Sequence, residues 1–374
     1  MNKNPKIAFF ITEDWYFVSH RLPIAIESIK KGFDVYLITK KSTKSKLIES
    51  YGINIVNIDI SRGEISPLSD LILLIKLIFI LKKINPDIIH TVAMKPILYG
   101  NIASFILGIP NCISSFAGLG YIFISKSIKA QLVCYLLKIF FRFFLNRKSN
   151  CIIFQNRDDL NFMIDDNIIK ENRAIIIRGS GVNGQVFNYT KENNKTHNII
   201  LASRLLWDKG IGDFVKASKI IKENDITNLR FIIVGEIDSQ NPTSVKKKNL
   251  LNWEENNLIE WWGHRKDINK IYEQSNIVCL PSYREGLPKS LIEAAACGRA
   301  IIATDVPGCR EIVIDGYNGL LCEHKSIQSL EHTLNKFIST SISNKITMSE
   351  NARNFVQKKF DVNFVIKRYS ELLK

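Results

Sequence analysis

The stretch YREGLPKSLIEAAACG, residues 283–298, carries two acids in the setting of a binding site. Glu285 lies among turn-forming residues, and Glu293 follows in a short apolar segment. Pro288 near the start of that segment and Gly298 after it are typical helix boundaries, so we predict a helix whose N-terminus favours a phosphate group. The two carboxylates would accept hydrogen bonds from hydroxyl groups on either side of a diphosphate. The alternative is an ordinary helix with one capping acid and one exposed glutamate.

A second cluster, SRLLWDKGI, follows the apolar run NIILAS and contains two cations, Arg204 and Lys209. An arginine can chelate phosphate oxygens in a bidentate manner, whereas a lysine acts as a point charge. Placed between a strand and a helix, with Gly210 and Gly212 nearby, the pair suits a diphosphate. The alternative is a solvated turn.

Both clusters lie in loops of a predicted α/β protein. Strand-like apolar runs alternate with helical patterns, which indicates βαβ units and parallel sheets with helices on both faces. The alternation stops in a polar stretch at 189–198 and then restarts. We therefore predict two doubly wound domains, residues 1–190 and 191–355, and a C-terminal helix over 356–374 that packs back towards the first domain. In such sheets ligands bind beyond the carboxyl ends of the strands, where both clusters lie.

Composition and charge limit the class of protein. With 374 residues, of which 46% are hydrophobic and 23% charged, the chain is globular and long enough for two domains. Its net charge of +15 suits nucleic acid, anionic lipid or a phosphorylated small molecule. The seven cysteines form no C-x-x-C pair, which favours buried thiols in a reducing cytoplasm, and the N-terminal apolar run is too short for a signal peptide.

Two further segments are rich in large apolar residues. Residues 126–148 interleave them with basic residues, which is the composition of an interfacial membrane-binding helix. A core helix with a solvated basic edge is the alternative. Residues 68–83 are interrupted by Lys76 and are shorter than the roughly 20 residues that cross a bilayer, so we predict a buried amphipathic helix there. The basic residues chosen for testing in the first segment are Lys126, Lys129, Arg142 and Arg147.

These motifs together resemble those of a known family. SRLLWDKG, VGE, GHRKDI, the stretch from PSYREGLP to PGCREIV, and DGYNGLL resemble the C-terminal half of the retaining glycosyltransferases of family four. In the N-terminal half the resemblance rests on SHRLP, SRGEISP, HTVAMKP and FAGLGYIF. It implies the GT-B fold, in which two Rossmann-like domains of doubly wound parallel sheets face each other across a cleft. The subgroup it resembles builds O-antigen and other bacterial surface polysaccharides on a polyprenyl diphosphate such as undecaprenyl diphosphate.

The resemblance implies a role for each candidate residue of the C-terminal half. Arg204 and Lys209 would hold the donor diphosphate and neutralise the departing nucleotide. Glu285 would contact the donor sugar hydroxyls, Glu293 the ribose and Arg265 the base. Three further residues would shape the sugar and phosphate pocket through backbone groups: Gly286, Leu287 and Pro288.

In the N-terminal half, the resemblance implies that the acceptor lies against residues lining the cleft. The family's usual glycine loop is replaced here by TEDWYFVSH. His20 follows that loop and could equally cap the next helix. The residues expected to line the acceptor side are His20, Arg21, Lys95, Gly118 and Gly120.

The reaction implied is transfer of N-acetylgalactosamine from UDP-GalNAc, by an α1,3 linkage and with retention, onto a polyprenyl-diphosphate-linked saccharide. Front-face attack assisted by the leaving diphosphate makes positioning and charge stabilisation the main contributions of the protein. We expect no metal cofactor, because the sequence has no D-x-D and no histidine pair at ligand spacing. We expect a cytoplasmic protein, peripheral on the inner face of the membrane through helix 126–148, and no nucleic-acid partner.

Three alternatives stay open. A transferase of another UDP-hexose would carry the same motifs. A UDP-GlcNAc 2-epimerase-like enzyme shares the fold and would act on the free sugar nucleotide. A non-catalytic protein that binds anionic lipid would explain the charge but not the paired acids.

Overall fold

A computed structural model describes residues 4–61, 66–120, 123, 127–191, 197–223, 229–239, 241 and 243–373. Parts of the SRGEISP and FAGLGYIF motifs, Lys126 and the side chain of Lys129 lie outside these described residues. The chain divides into two compact units, one formed by Met1–Ser180 with Asn363–Lys374 and one by Gly181–Val362.

The first unit is built on seven parallel strands: β1 (Lys6–Glu13), β2 (Asp34–Lys40), β3 (Asn54–Asn57), β4 (Ile88–Val92), β5 (Asn111–Ser115), β6 (Asn150–Phe154) and β7 (Ala174–Ile176). Their spatial order is β3-β2-β1-β4-β5-β6-β7. Strand β1 is buried along its apolar run because helices cover both faces of the sheet. The strand order reverses between β1 and β4, which places the loops after these two strands side by side.

Helices on the two faces fill separate cores. Phe9 points to one face, where Tyr369 of the C-terminal helix also packs, and Phe10 points to the other, which is covered by α4 and α5. The helices of this unit are α1 (Asp14–His20), α2 (Leu22–Lys30), α3 (Ser45–Glu49), α4 (Pro67–Ile84), α5 (Met94–Leu107), α6 (Ile128–Phe144), α7 (Arg157–Asp165) and, at its C-terminal end, α14 (Val362–Ser370).

The second unit is built on six parallel strands: β8 (His197–Ala202), β9 (Leu229–Val234), β10 (Glu260–Trp261), β11 (Ile277–Leu280), β12 (Ala300–Thr304) and β13 (Leu320–Cys322). Their spatial order is β10-β9-β8-β11-β12-β13, so the order reverses between β8 and β11. The helices are α8 (Ile211–Glu223), α9 (Lys247–Glu255), α10 (Ile268–Glu273), α11 (Lys289–Ala296), α12 (Ile327–Ser339) and α13 (Ile342–Lys359).

Two predicted helices differ from the structure. The segment at 68–83 is helical, but it is not buried all round, because its apolar residues form one stripe in the core and a second stripe at the surface.

The single helix predicted at 356–374 is two helices, α13 and α14, separated at Phe360. Phe360 packs in the core of the second unit and Val365 packs in the core of the first, so the chain passes from one unit to the other between these two residues. Within the described residues no helix is both long and apolar enough to cross a membrane.

Candidate functional site

The loops after β8 and β11 meet where the strand order of the second unit reverses. The backbone N–H of Tyr283 donates to the carbonyl of Asp208 at 2.9 Å. Gly210 permits this approach, since its φ is +73° and an added Cβ would lie 1.9 Å from the carbonyl oxygen of Pro281. This crevice beyond the carboxyl ends of the strands is where open α/β sheets bind ligands.

Two predicted site residues, Lys209 and Glu285, are brought together in this crevice. Lys209 ends a short 3-10 turn, Trp207–Lys209, and its Nζ lies 2.6 Å from Oε1 of Glu285. Their side chains are only 16% and 10% exposed. The hydroxyl of Ser282, a buried residue just after β11, donates to the same carboxylate oxygen at 2.7 Å. A cation and a carboxylate are therefore held in fixed positions at the strand ends, where a diphosphate and a sugar hydroxyl could both be bound.

The other two predicted cations lie at neighbouring loops and contact acids of their own. Arg204 is 46% exposed, and its Nη1 lies 3.3 Å from Oδ2 of Asp238, in the loop after β9. Arg265 makes a bidentate pair with Asp267, at 2.9 and 2.8 Å. This pairing lowers the pKa of the Asp267 carboxyl to about 2. Both guanidinium groups are near the strand ends, but the acids that orient them were not predicted from the sequence.

Glu293 is buried in the second turn of α11, with Oε1 3.2 Å from Nζ of Lys289. Burial raises the pKa of this carboxyl above its usual value, and the nearby Lys289 charge only partly opposes that effect. A buried carboxyl beside one lysine is costly to keep ionised, so this group does not contribute to folding in the way an exposed acid would.

The loop before α11 is shaped by backbone packing. Leu287 packs against the core of the second unit, and Pro288 is the N-cap residue of α11. Gly308, in the loop after β12, has a φ of +81°, and an added Cβ would lie 2.6 Å from the carbonyl oxygen of Gly286. Gly308 therefore fixes the 286–288 loop. It was not among the predicted site residues, although a glycine in the V-P-G turn after a strand indicates a tight backbone contact.

The predicted acceptor-side residues of the first unit differ in exposure. His20 ends α1, stacks on Tyr16 at 4.1 Å between ring centroids, and its Nδ1 lies 2.8 Å from the hydroxyl of Ser19. Arg21 was expected to line a surface, but it is only 1% exposed. Its guanidinium donates to the carbonyl of His20 and lies 5.6 Å from the ring of Tyr369. Arg21 is therefore an interior cation of the first unit.

Lys95 was also expected to contact substrate, but it pairs with Asp70 at 3.0 Å and both side chains are largely buried. The pair joins α5 to α4. The same acid accepts from Tyr99, and burial together with that negative charge raises the pKa of the Tyr99 hydroxyl. Gly118 and Gly120 have positive φ values of +116° and +72°, which is the loop geometry that glycine favours.

A buried polar cluster beside Arg21 was missed by sequence reasoning. Nε2 of His90, on β4, lies 2.9 Å from the hydroxyl oxygen of Ser115. That hydroxyl oxygen lies 3.3 Å from the hydroxyl oxygen of Tyr369. Burial, and then the charge of Arg21, holds the pKa of His90 well below its usual value. The one signal in the sequence was a histidine inside the apolar strand IIHTV.

The basic helix predicted at 126–148 corresponds to the shorter α6, and three described cations of the predicted segment make local contacts. Lys138 pairs with Asp166 at 2.5 Å. Arg142 donates to the carbonyls of Asp166 and Asn167, and Arg147 lies 5.0 Å from the ring of Phe105. These contacts lie along the helix flank and leave a row of large apolar side chains exposed.

Comparison with known proteins places each unit in a family. Residues 6–156 match the family described as glycosyl transferase 4-like, and residues 185–355 match glycosyl transferases group 1. A Campylobacter jejuni protein, N,N'-diacetylbacillosaminyl-diphospho-undecaprenol alpha-1,3-N-acetylgalactosaminyltransferase, is 27% identical over 370 residues, which is 94% of either chain. An Escherichia coli protein, UDP-Gal:alpha-D-GlcNAc-diphosphoundecaprenol alpha-1,3-galactosyltransferase, is 27% identical and covers 88% of this chain and 86% of its own.

Among solved structures, Anabaena HepE in complex with UDP and glucose is similar over 99% of both chains, with a TM-score of 0.78 and 18% identity. At that identity the likeness concerns the fold. It confirms the predicted α/β architecture of two Rossmann-like parallel-sheet domains of the GT-B type.

Proposed function

Because the chain belongs to the glycosyltransferases, with a 4-like domain followed by a group 1 domain, we propose that it transfers a sugar from a UDP-sugar to a saccharide carried on undecaprenyl diphosphate. The observation that carries this proposal is the contact of Lys209 with Glu285 at the switch point of the second sheet. It sets a cation for the diphosphate beside a carboxylate for the donor sugar. The C. jejuni and E. coli relatives, whose names both specify an undecaprenol-linked substrate, support the acceptor class.

The donor we propose is UDP-GalNAc, transferred by an α1,3 linkage with retention of configuration. The name of the C. jejuni relative supports this sugar. UDP-galactose is the competing donor, because the E. coli relative is a galactosyltransferase at the same 27% identity. Both relatives form α1,3 linkages, which supports the linkage whichever sugar is moved.

In the proposed mechanism the acceptor hydroxyl attacks the anomeric carbon on the face that the diphosphate leaves. The new glycosidic bond forms as the bond from the anomeric carbon to the diphosphate oxygen breaks, and the hydroxyl proton passes to the departing diphosphate. Lys209 and Arg204 stabilise the negative charge that develops on that group. Glu285 accepts hydrogen bonds from the donor sugar, Glu293 from the ribose, and Arg265 lies beside the base.

The acceptor side is proposed to lie on the first unit, near His20, Gly118 and Gly120. Lys95 and Arg21 act there by fixing helices, since both are taken up by interior contacts. We propose that no metal ion takes part, because lysine and arginine supply the positive charge at the diphosphate. We also propose that the protein works at the inner face of the cytoplasmic membrane, which α6 contacts.

The test offers the purified protein UDP-GalNAc, UDP-Gal, UDP-GlcNAc and UDP-Glc in turn, with a short polyprenyl-diphosphate-linked N-acetylhexosamine and with EDTA. Transfer from UDP-GalNAc in EDTA supports the donor, the acceptor class and metal independence together. Transfer from UDP-Gal alone changes the donor. Epimerisation of UDP-GlcNAc without acceptor would replace the proposal with an epimerase, and absence of any sugar-nucleotide binding would refute it.

A further inference from the structure

Helix α4 presents large apolar side chains to solvent from Leu68 to Phe79. Five of them are between 45% and 73% exposed and recur every three or four residues, which places them in one stripe. The opposite side of the helix is buried in the core against β1 and β4. The exposed residues, called the α4 stripe below, are Leu68, Leu71, Ile72, Ile75 and Phe79.

Helix α6 repeats this arrangement. Six of its apolar residues are between 45% and 85% exposed, while Leu137 and Phe141 pack in the core. Single exposed apolar residues are common on proteins, but two long stripes on one unit indicate a docking surface. The exposed residues, called the α6 stripe below, are Ile128, Leu132, Tyr135, Leu136, Ile139 and Phe143.

The two stripes lie on helices that are both packed against α5. Helix α5 packs against both α4 and α6. The Lys95–Asp70 pair fixes α5 to α4, and Phe105 at the end of α5 lies 5.9 Å from the ring of Phe143 on α6. Phe105 and Ile106 are themselves about half exposed, at 48% and 56%. The exposed apolar residues at the end of α5 therefore extend the α6 stripe, and α5 lies between the two striped helices.

The charges that the two helices themselves carry are mainly positive. Helix α6 carries no acid, and the one acid of α4, Asp70, is neutralised by Lys95. Lys76, Lys82 and Lys83 of α4 are exposed. Large apolar residues flanked by lysines match an anionic lipid bilayer, where the rings and aliphatic chains enter the interface and the ammonium groups reach the head groups.

From these observations we infer that the α4 stripe is a second membrane-docking surface, which acts together with α6 to hold the first unit on an anionic bilayer. This inference deepens the membrane association included in the proposed function and rests on it for its biological setting. The sequence pattern had indicated a role in docking for α6 only. Docking through two helices would fix the orientation of the first unit as well as its depth, because a unit held by one helix could pivot about that helix.

The test is co-sedimentation of the full chain with vesicles of phosphatidylethanolamine and phosphatidylglycerol. The variant Ile72→Ser/Ile75→Ser/Phe79→Ser removes three of the five residues of the α4 stripe. A matched control, Ile220→Ser/Ile342→Ser/Phe364→Ser, removes three exposed apolar residues from other helices. We expect the first variant to bind vesicles at least tenfold more weakly than the wild type and the control to bind like the wild type.

Equal binding by the α4 variant and the wild type would overturn the inference. It would also be overturned if the wild type were a dimer in analytical ultracentrifugation and the α4 variant a monomer with unchanged vesicle binding, since the stripe would then join two copies. Replacing Lys76, Lys82 and Lys83 with glutamine should weaken binding to anionic vesicles and leave binding to neutral vesicles unchanged. Donor consumption with a short-chain acceptor in solution is measured on the same variants, so failure of the proposed function and failure of the docking inference give different results.

Discussion

Lys209 and Glu285, 76 residues apart in the chain, meet through Nζ and Oε1 at 2.6 Å. Each follows one of the two strands between which the order of the second sheet reverses. The contact holds the lysine at the strand ends, which is where the proposed function requires a cation for the donor diphosphate.

Replacing Lys209 with methionine should lower kcat for sugar transfer about 10²–10³-fold, the loss typical of removing one group that stabilises developing negative charge. The measurement is transfer from the UDP-sugar at saturating acceptor. Lys219→Met, on the exposed face of α8, is the control and should leave kcat unchanged. A loss of less than about threefold for the Lys209 variant would exclude it from stabilising the leaving group.

Ser282→Ala should lower kcat/KM for the donor by about tenfold, because a hydrogen bond to a charged carboxylate contributes about 1.5–3 kcal/mol. The hydroxyl of Ser282 holds Glu285 in place without being near enough to the surface to contact substrate itself. The acceptor KM should not change. Ser339→Ala, at the exposed end of α12, is the control. Unchanged donor kinetics would show that Lys209 alone orients the carboxylate.

Glu293→Gln should stabilise the second unit at neutral pH. Because burial raises the pKa of this carboxyl in the folded state, the folded protein binds more protons than the unfolded chain just above pH 4.5, and stability falls as pH rises through that window. The amide removes this fall. The measurement is the thermal unfolding midpoint at pH 5 and at pH 7.5, with Glu255→Gln on α9 as an exposed control.

The same Glu293→Gln variant separates stability from binding. If the carboxylate accepts from the ribose, UDP-sugar affinity should drop by about 10–100-fold while the unfolding midpoint at pH 7.5 rises. A variant that is less stable than the wild type at pH 7.5 would contradict the role assigned to burial.

His90→Gln should reduce the acid sensitivity of the first unit. The folded state keeps the pKa of His90 below 6.5, so the unfolded chain binds more protons below that pH, and stability is lost as pH falls from 6.5 towards the folded value. Urea unfolding at pH 7.5 and pH 5.5 measures the loss. The variant should show a smaller difference between the two pH values than the wild type, whereas the exposed His332→Gln should match it. Equal differences for all three proteins would place the acid sensitivity elsewhere.

The sequence predicts the fold well because parallel strands that are buried on both faces have continuous apolar sequences, such as IAFFI in β1. It also predicts that Lys209 and Glu285 lie in loops after strands. It does not predict that the two touch, because their contact depends on the spatial order of β8 and β11. Burial of Arg21 against Tyr369 depends likewise on a helix more than 300 residues away along the chain.

The α4 segment shows a different limit. Its apolar residues were predicted to be buried, since burial is the usual fate of such residues in a globular protein. Apolar side chains occur almost all round this helix, so the pattern gives no preferred face. Only the packing of α4 on β1 and α5 decides which side is covered.

The return of α14 to the first unit has a consequence for biosynthesis. Val365, Tyr369 and Leu373 complete a core whose other members lie between Ile7 and Ile177. The ribosome makes these three residues after all of the second unit, so the first unit emerges with that core open and the second unit is the first able to finish. Nascent chains of this enzyme should therefore expose the His90 side of the sheet to chaperones until α14 has been made.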